Sequence, residues 1–186
     1  AHLGNWELLA VHCLKFGQGN EYVVTKRIKN PYLDRFVTSL RRSMGVEILP
    51  HRGSARELVK KLKEGATVGF LLDQRALKKE AVFADFFGEK VPTYKALALL
   101  AMNLDIPIIP TFVIRDGDGS HRVIYKEEVE LISTGKRPED LVANTARFNR
   151  IIEEMILQYP EQWFWVHNRW KHVKVGRPYG SYELEG

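Results

Sequence analysis

Residues 67–74 read TVGFLLDQ, and this stretch decides the fold. It is almost unbroken in apolar character up to Asp73, yet only seven residues long to that point. A strand with one wet face alternates polar and apolar residues. A run like this predicts a strand covered on both faces, as in a parallel sheet flanked by helices. The preceding SARELVKKLKEG, residues 54–65, predicts a helix with a capping box. Ser54 caps it, Glu57 three residues on reaches back, and Gly65 closes it.

Working outward, the same alternation continues in both directions. VEILP (46–50) and EYVVTKRI (21–28) predict strands. Between them NPYLDRFVTSLRRSMG (30–45) predicts a helix, with Asn30 as cap, Pro31 at the first position and Gly45 at the end. Its apolar stripe is Leu33, Phe36, Val37, Leu40 and Met44. NWELLAVHCLKF (5–16) predicts another helix, with Asn5 as cap and Gly17 as stop. Downstream, residues 74–92 predict a long loop, and TYKALALLAMNL (93–104) a helix capped by Thr93. PIIPTFVIRD and HRVIYKEEVEL flank the turn DGDG and predict a hairpin. A long amphipathic helix over 138–158 precedes an aromatic, basic tail. The fold class expected is α/β, a mostly parallel central sheet flanked by helices with an antiparallel hairpin at one edge.

Composition sets bounds on function. The 186 residues fit one domain, residues 1–186, with 45% hydrophobic and 27% charged content typical of a globular protein. A single cysteine, Cys13, excludes an internal disulfide and a multi-thiolate zinc site, and reads as a small buried residue. The net charge of +5 and pI near 9.3 suit acidic partners: nucleic acid, an anionic membrane or an acidic carrier protein. The longest apolar run, ALALLAM (96–102), falls short of the roughly 18 residues of a membrane span and predicts a buried helix face. The abrupt start at Ala1 leads us to expect a fragment.

Chemistry is expected beyond the carboxyl ends of the strands. Asp73 and Gln74 end one strand, and Lys26 and Arg27 another. His2 and Glu7 stand with four residues between them, and Gly4 allows a tight turn there. A neutral imidazole is a good general base near pH 7, and a carboxylate fixes its tautomer and steadies the imidazolium. Chance alone gives roughly 0.7 such pairs in this composition, so the spacing by itself is a weak motif. Asp73–Gln74 also reads as a polar strand end. Arg41 and Arg42 read either as a solvated last turn or as an inward anion contact. The tail, with Trp163, Phe164, Trp165, Trp170, Arg169 and Lys171, reads as simple core packing or, beyond that, as an interfacial belt, a phosphate grip or a base-stacking surface.

Jointly these pieces resemble the late (lauroyl/myristoyl) acyltransferase family of bacterial lipid A biosynthesis, within the lysophospholipid-acyltransferase-like superfamily. HLGNWE (2–7) is similar to the family's H-x-x-x-x-E/D signature. KRIKNPYLDRFVTSLRRSMG (26–45), FLLDQ (70–74), VFADFFGEKVPT (82–93) and YPEQWFWVHNRWK (159–171) match its further blocks, so the resemblance runs over nearly the whole chain. Asn168 stands where Arg is common, and the RALKKE loop (75–80) where many members are glycine-rich.

The resemblance implies a glycerophosphate-acyltransferase-like fold and an O-acyltransferase. It implies that the segment ahead of Ala1 is an anchor helix and a first strand. Such an enzyme moves a fatty acyl chain from acyl carrier protein to a hydroxyl of a membrane glycolipid, the lipid A precursor. It implies His2 as base, Glu7 orienting it, Arg41 stabilising charge, and Asp73 holding the acceptor or supporting the arginine. It also implies Asn5, Arg27, Gln74, Arg169 and Lys171 as substrate contacts. No metal, cofactor or acyl-enzyme enters that scheme. The expected partners are acyl carrier protein, the glycolipid and an anionic membrane surface, at the cytoplasmic face of the bacterial inner membrane. Nucleic acid is not expected. The alternatives are a sister phosphatidylinositol-mannoside or glycerophospholipid acyltransferase, with acyl-CoA as a possible donor, or a non-catalytic basic module.

Overall fold

The computed structural model describes residues 1–9, 12 and 20–171. Cys13, Gly17 and most of the helix expected over 5–16 lie outside the described residues, as do Lys174 and Arg177. Three short strands form a parallel sheet: β1 (Glu21–Thr25), β2 (Glu47–Pro50) and β3 (Thr67–Gly69), in the order β2-β1-β3. Two helices make the crossovers, α1 (Pro31–Ser43) and α2 (Ala55–Lys63). The caps of α1 form as its sequence predicts. The Asn30 side chain accepts from the backbone N–H of Tyr32 and Leu33, and Gly45 turns the chain out at φ 79°. The capping box of α2 does not form: the Ser54 hydroxyl instead donates to the carbonyl of Pro50, tying the helix start to β2.

The strand expected over 67–73 is shorter, because only Thr67–Gly69 pairs with β1. The rest of the run leaves the ladder while Leu72 and Asp73 stay buried. The expected loop over 74–92 is largely structured. A 3₁₀ turn (Lys78–Glu80) leads into β4 (Ala81–Phe86) and β5 (Glu89–Tyr94), an antiparallel hairpin. Phe87 and Gly88 form its two-residue turn, both with positive φ (54° and 78°), the geometry that matches strand twist. Thr93, expected as a helix cap, is instead a fully buried residue of β5. Helix α3 (Ala96–Leu104) starts three residues later.

The predicted hairpin around DGDG is present as β6 (Thr111–Arg115) and β7 (His121–Tyr125), a two-stranded ladder of its own rather than an edge of the parallel sheet. Helix α4 (Arg137–Gln158) lies across β4. Its Phe148, Ile152, Met155 and Ile156 join Phe86, Val91, Phe112 and Ile114 in the main core. Buried polar residues of α4 bond to the segments packed against it, although Oδ1 of Asn149 has no partner among the described residues. Asn144 exchanges two hydrogen bonds with the backbone of Ile132, and Asn149 donates to the carbonyl of Asp85 and to Thr93. Among the described residues no helix is long and apolar enough to cross a membrane.

Candidate active site

Two remote segments meet where the run 67–74 ends. Residues 2–4 lie antiparallel to residues 162–164. Leu3 bridges Trp163, the N–H of Phe164 donates to the carbonyl of His2 (3.0 Å), and the N–H of Gly4 donates to the carbonyl of Gln162 (2.8 Å). The Gln162 side chain then clips this pair to β6, accepting from the N–H of Arg115 and donating to its carbonyl, both at 2.9 Å. A polar glutamine in the PEQW block thus acts as a splint for the backbone that carries His2.

Gly4 permits the close approach. Its φ is +57°, and a Cβ there would overlap the carbonyl oxygen of Val113. Gly4→Ala combines left-handed strain with a backbone clash, for which about 2 kcal/mol or more is expected. The thermal midpoint should fall by about 4–8 °C. An unchanged midpoint in a calorimetric scan would show that the backbone moves aside at no cost.

The Asp73 carboxylate is the hub of the site. Oδ1 accepts from Nδ1 of His2 at 2.8 Å. Oδ2 accepts from the backbone N–H of His2 (2.6 Å) and from Nε1–H of Trp163 (2.9 Å). Burial alone raises the Asp73 pKa, but the hydrogen bond from His2, then the charge of the Ala1 amine and of His2, and last the bond from Trp163 together outweigh it and hold the carboxyl well below the usual range. Asp73 is therefore charged, and it fixes the proton of His2 on Nδ1. Nε2 is left as an acceptor, and the Gln74 amide donates to it at 3.3 Å. The imidazole keeps 14% of its side-chain surface exposed, so a substrate can reach it. Trp6 packs edge-on against the ring at 4.8 Å, and Phe164 lies at 6.4 Å.

The expected partnership of His2 with Glu7 is exchanged for another. Glu7 receives a two-pronged contact from Arg41 of α1, Nε to Oε2 at 3.1 Å and Nη2 to Oε1 at 2.6 Å. The pair ties the turn after His2 to α1. The i,i+5 spacing suggested a local contact, whereas the carboxylate that meets the imidazole lies 71 residues away. Trp163 and Gln162 are the residues that motif reasoning missed as parts of this site. Their signal is the PEQW block itself, whose core-packing reading the structure bears out for Trp163.

The tail performs a structural duty. Arg169, expected among substrate contacts, is 0% exposed. Its Nη1 donates to the carbonyls of Pro92 (2.6 Å) and Gln74 (3.3 Å), its Nη2 donates to Thr93 (2.6 Å), and its guanidinium lies over Phe86. It has no carboxylate partner among the described residues, and burial pushes its pKa down to about 10. It is not available to a substrate. Asn5, Arg27 and Lys171 are exposed; Arg27 lies in a groove along α1 and is not brought to His2 by any contact described. Among the described residues no cluster of three or more metal-ligating side chains occurs.

His167 completes the clasp: its Nε2 accepts the backbone N–H of Arg75 at 2.8 Å. Burial, reinforced by Arg169, lowers its pKa below 6.5. The folded form therefore binds this proton more weakly than the unfolded chain. Stability from this contact is present above about pH 6.5 and declines as pH falls through the lowered folded value. Melting temperatures should drop between pH 7 and pH 5, and His167→Gln should flatten that slope. An equally steep slope in the variant would assign the effect to another group.

Comparison with known proteins gives the chain a family. The family described as bacterial lipid A biosynthesis acyltransferase matches residues 1–172. The chain is 31% identical over 156 residues to the lipid A biosynthesis palmitoleoyltransferase of Escherichia coli (strain K12), covering 83% of this chain and 49% of that one. It is 28% identical over 172 residues to the phosphatidylinositol mannoside acyltransferase of Mycolicibacterium smegmatis, covering 91% and 54%. The lipid A biosynthesis lauroyltransferase of Escherichia coli (strain K12) is 28% identical over 153 residues. The chain spans about half the length of the curated relatives it matches.

Proposed function

The chain belongs to the bacterial lipid A biosynthesis acyltransferase family, and from that premise we propose that it works as an O-acyltransferase on a membrane glycolipid. The observation that carries the reading is the His2–Asp73 contact at 2.8 Å, on an imidazole that keeps 14% of its side-chain surface exposed. In this reading Nε2 takes the proton of the acceptor hydroxyl as its oxygen attacks the thioester carbonyl of the acyl donor. Asp73 steadies the imidazolium that forms. The tetrahedral adduct collapses, the carbon–sulfur bond breaks, and the imidazolium returns its proton to the leaving thiolate. The ester forms directly, with no covalent enzyme intermediate. Gln74, with its amide 3.3 Å from Nε2, donates to the acceptor oxygen as the substrate enters. Glu7 and Arg41 act as positioning residues that brace the turn carrying His2.

The donor in this reading is acyl carrier protein, and the acceptor is the lipid A precursor at the cytoplasmic face of the bacterial inner membrane. The net charge of +5 favours encounter with an acidic carrier and an anionic lipid. The mycobacterial relative supports a second reading, in which the acceptor is a mannosylated phosphatidylinositol. Incubation with labelled acyl carrier protein or acyl-CoA, each against lipid A precursor or phosphatidylinositol mannoside, separates these by mass spectrometry. One added acyl chain on lipid A precursor, from the carrier protein, is the expected product. Transfer only to the mannosylated lipid would move the enzyme to the second reading, and no transfer to any lipid would end both.

A further inference from the structure

Helix α1 has no fully buried residue, yet its sequence is sharply two-faced. At about 100° per residue, three sectors follow one another around its axis. Asp34, Val37, Arg41 and Met44 face the body of the protein and, with Thr38 at the edge of the polar sector, are the half-buried positions. Tyr32, Leu33, Phe36 and Leu40 form an apolar sector that stays in solvent, 83%, 51%, 65% and 48% exposed. The third sector is polar and lines a groove of about 430 Å³. Arg35 and Arg42 border it from the helix, with the hydroxyls of Thr38 and Ser39 between them, and Arg27 borders it from the preceding loop. Asp34 is the one acid there, and its carboxylate is engaged by the N–H of Ile28, which fixes the loop that carries Arg27. Arg42 makes only an exposed contact to Glu47 at 3.4 Å, and neither Arg27 nor Arg35 has an ion-pair partner among the described residues.

Four large side chains on one sector exceed the scatter of single apolar residues on an ordinary surface. An apolar sector adjoining an arginine-rich one, on a helix of low overall hydropathy, is the pattern of a helix lying in the plane of a membrane interface. We infer that α1 docks flat on an anionic phospholipid surface, with Leu33, Phe36 and Leu40 among the acyl chains and the Arg27–Arg35–Arg42 groove on lipid phosphates. Charge complementarity commits the occupant. Three guanidinium groups beside an apolar stripe fit phosphates above hydrocarbon, and they repel a second copy of the same basic face. The opposite side of the helix holds Glu7 through Arg41, so this docking sets the site beside the bilayer that holds its acceptor. The inference rests on the reading of a lipid acceptor. It is tested without any acyl donor, so the two can fail separately.

The test is sedimentation of the purified protein with vesicles of phosphatidylcholine alone or with phosphatidylglycerol. Binding should require the anionic lipid and weaken steeply with salt. Phe36→Glu combined with Leu40→Glu should reduce partitioning by about tenfold or more. Arg35→Gln should reduce it roughly fivefold on anionic vesicles. Hydrogen exchange of the unmodified protein should slow over residues 31–43 when anionic vesicles are added, a readout that needs no variant to fold. Unaltered partitioning of the double variant, absence of protection over α1, equal binding to neutral vesicles, or dimerisation through this face in place of vesicle binding would each overturn the inference.

Discussion

His2→Ala is expected to lower acyl transfer by about 10³–10⁴-fold at saturating substrates. Among the described residues the site holds no substitute base. The Glu7 carboxylate is engaged by two nitrogens of Arg41, and the Nε2 lone pair of His167 is occupied by the N–H of Arg75. Asp73 already accepts three hydrogen bonds and is 2% exposed. Among the described residues of the site, only His2 joins a partly exposed side chain to a weakly engaged nitrogen, Nε2 with its long 3.3 Å contact to the Gln74 amide, which an entering hydroxyl can displace. Because His2 is held in place through its backbone carbonyl and N–H, the variant should keep its fold. A thermal melt and a single-turnover assay together separate loss of chemistry from loss of structure. Product yield equal to that of the unmodified enzyme would remove His2 from the mechanism.

Asp73→Asn is expected to cost a similar factor, for a reason specific to the three-way contact. Oδ2 accepts two N–H donors, from His2 and Trp163, so the replacement amide must place its oxygen there. Its NH₂ group then faces Nδ1 of His2. Nδ1 becomes an acceptor, the ring proton moves to Nε2, and the base is lost while the geometry survives. A folded protein with an intact core and about 10³–10⁴-fold lower kcat is the expected result. Nitrogen NMR of the imidazole should report the exchanged tautomer, and a variant that retains full kcat with the proton on Nε2 would refute the assignment. The same carboxylate also links folding to acid. Since its folded pKa is depressed below 3.8, its charge contributes fully above that value, and the contribution is lost as pH falls through the depressed one.

The local part of this architecture is legible in the sequence. Asn30, Pro31 and Gly45 fix the ends of α1 through contacts within a few residues, and the strand–helix alternation gives the parallel sheet. Less legible is whatever depends on contacts across long separations. Glu7 was the acid nearest His2 along the chain, but the imidazole takes Asp73, and α1 supplies Arg41 to occupy Glu7. The β4–β5 hairpin escaped notice because Phe87, an unusual residue for a positive φ, occupies the place where Asn or Asp signals a turn. Arg169 looked like a surface cation because nothing local reveals that Pro92, Thr93 and Gln74 will surround it. The block spanning 159–171 was recognisable as a motif, but its meaning as a clasp required the fold.

That clasp bears on how the enzyme comes into being. Residues 2–4 have their backbone partners at 162–164, and the loop after Asp73 waits for His167 and Arg169. During synthesis the parallel sheet and its crossovers can form early, since their contacts are between neighbours in the chain. The imidazole and carboxylate gain their fixed geometry only after the segment around Trp163 has left the ribosome. The aligned pair therefore forms only after residues 160–169 have been made, and a nascent chain stalled before residue 160 carries the reactive groups without their alignment.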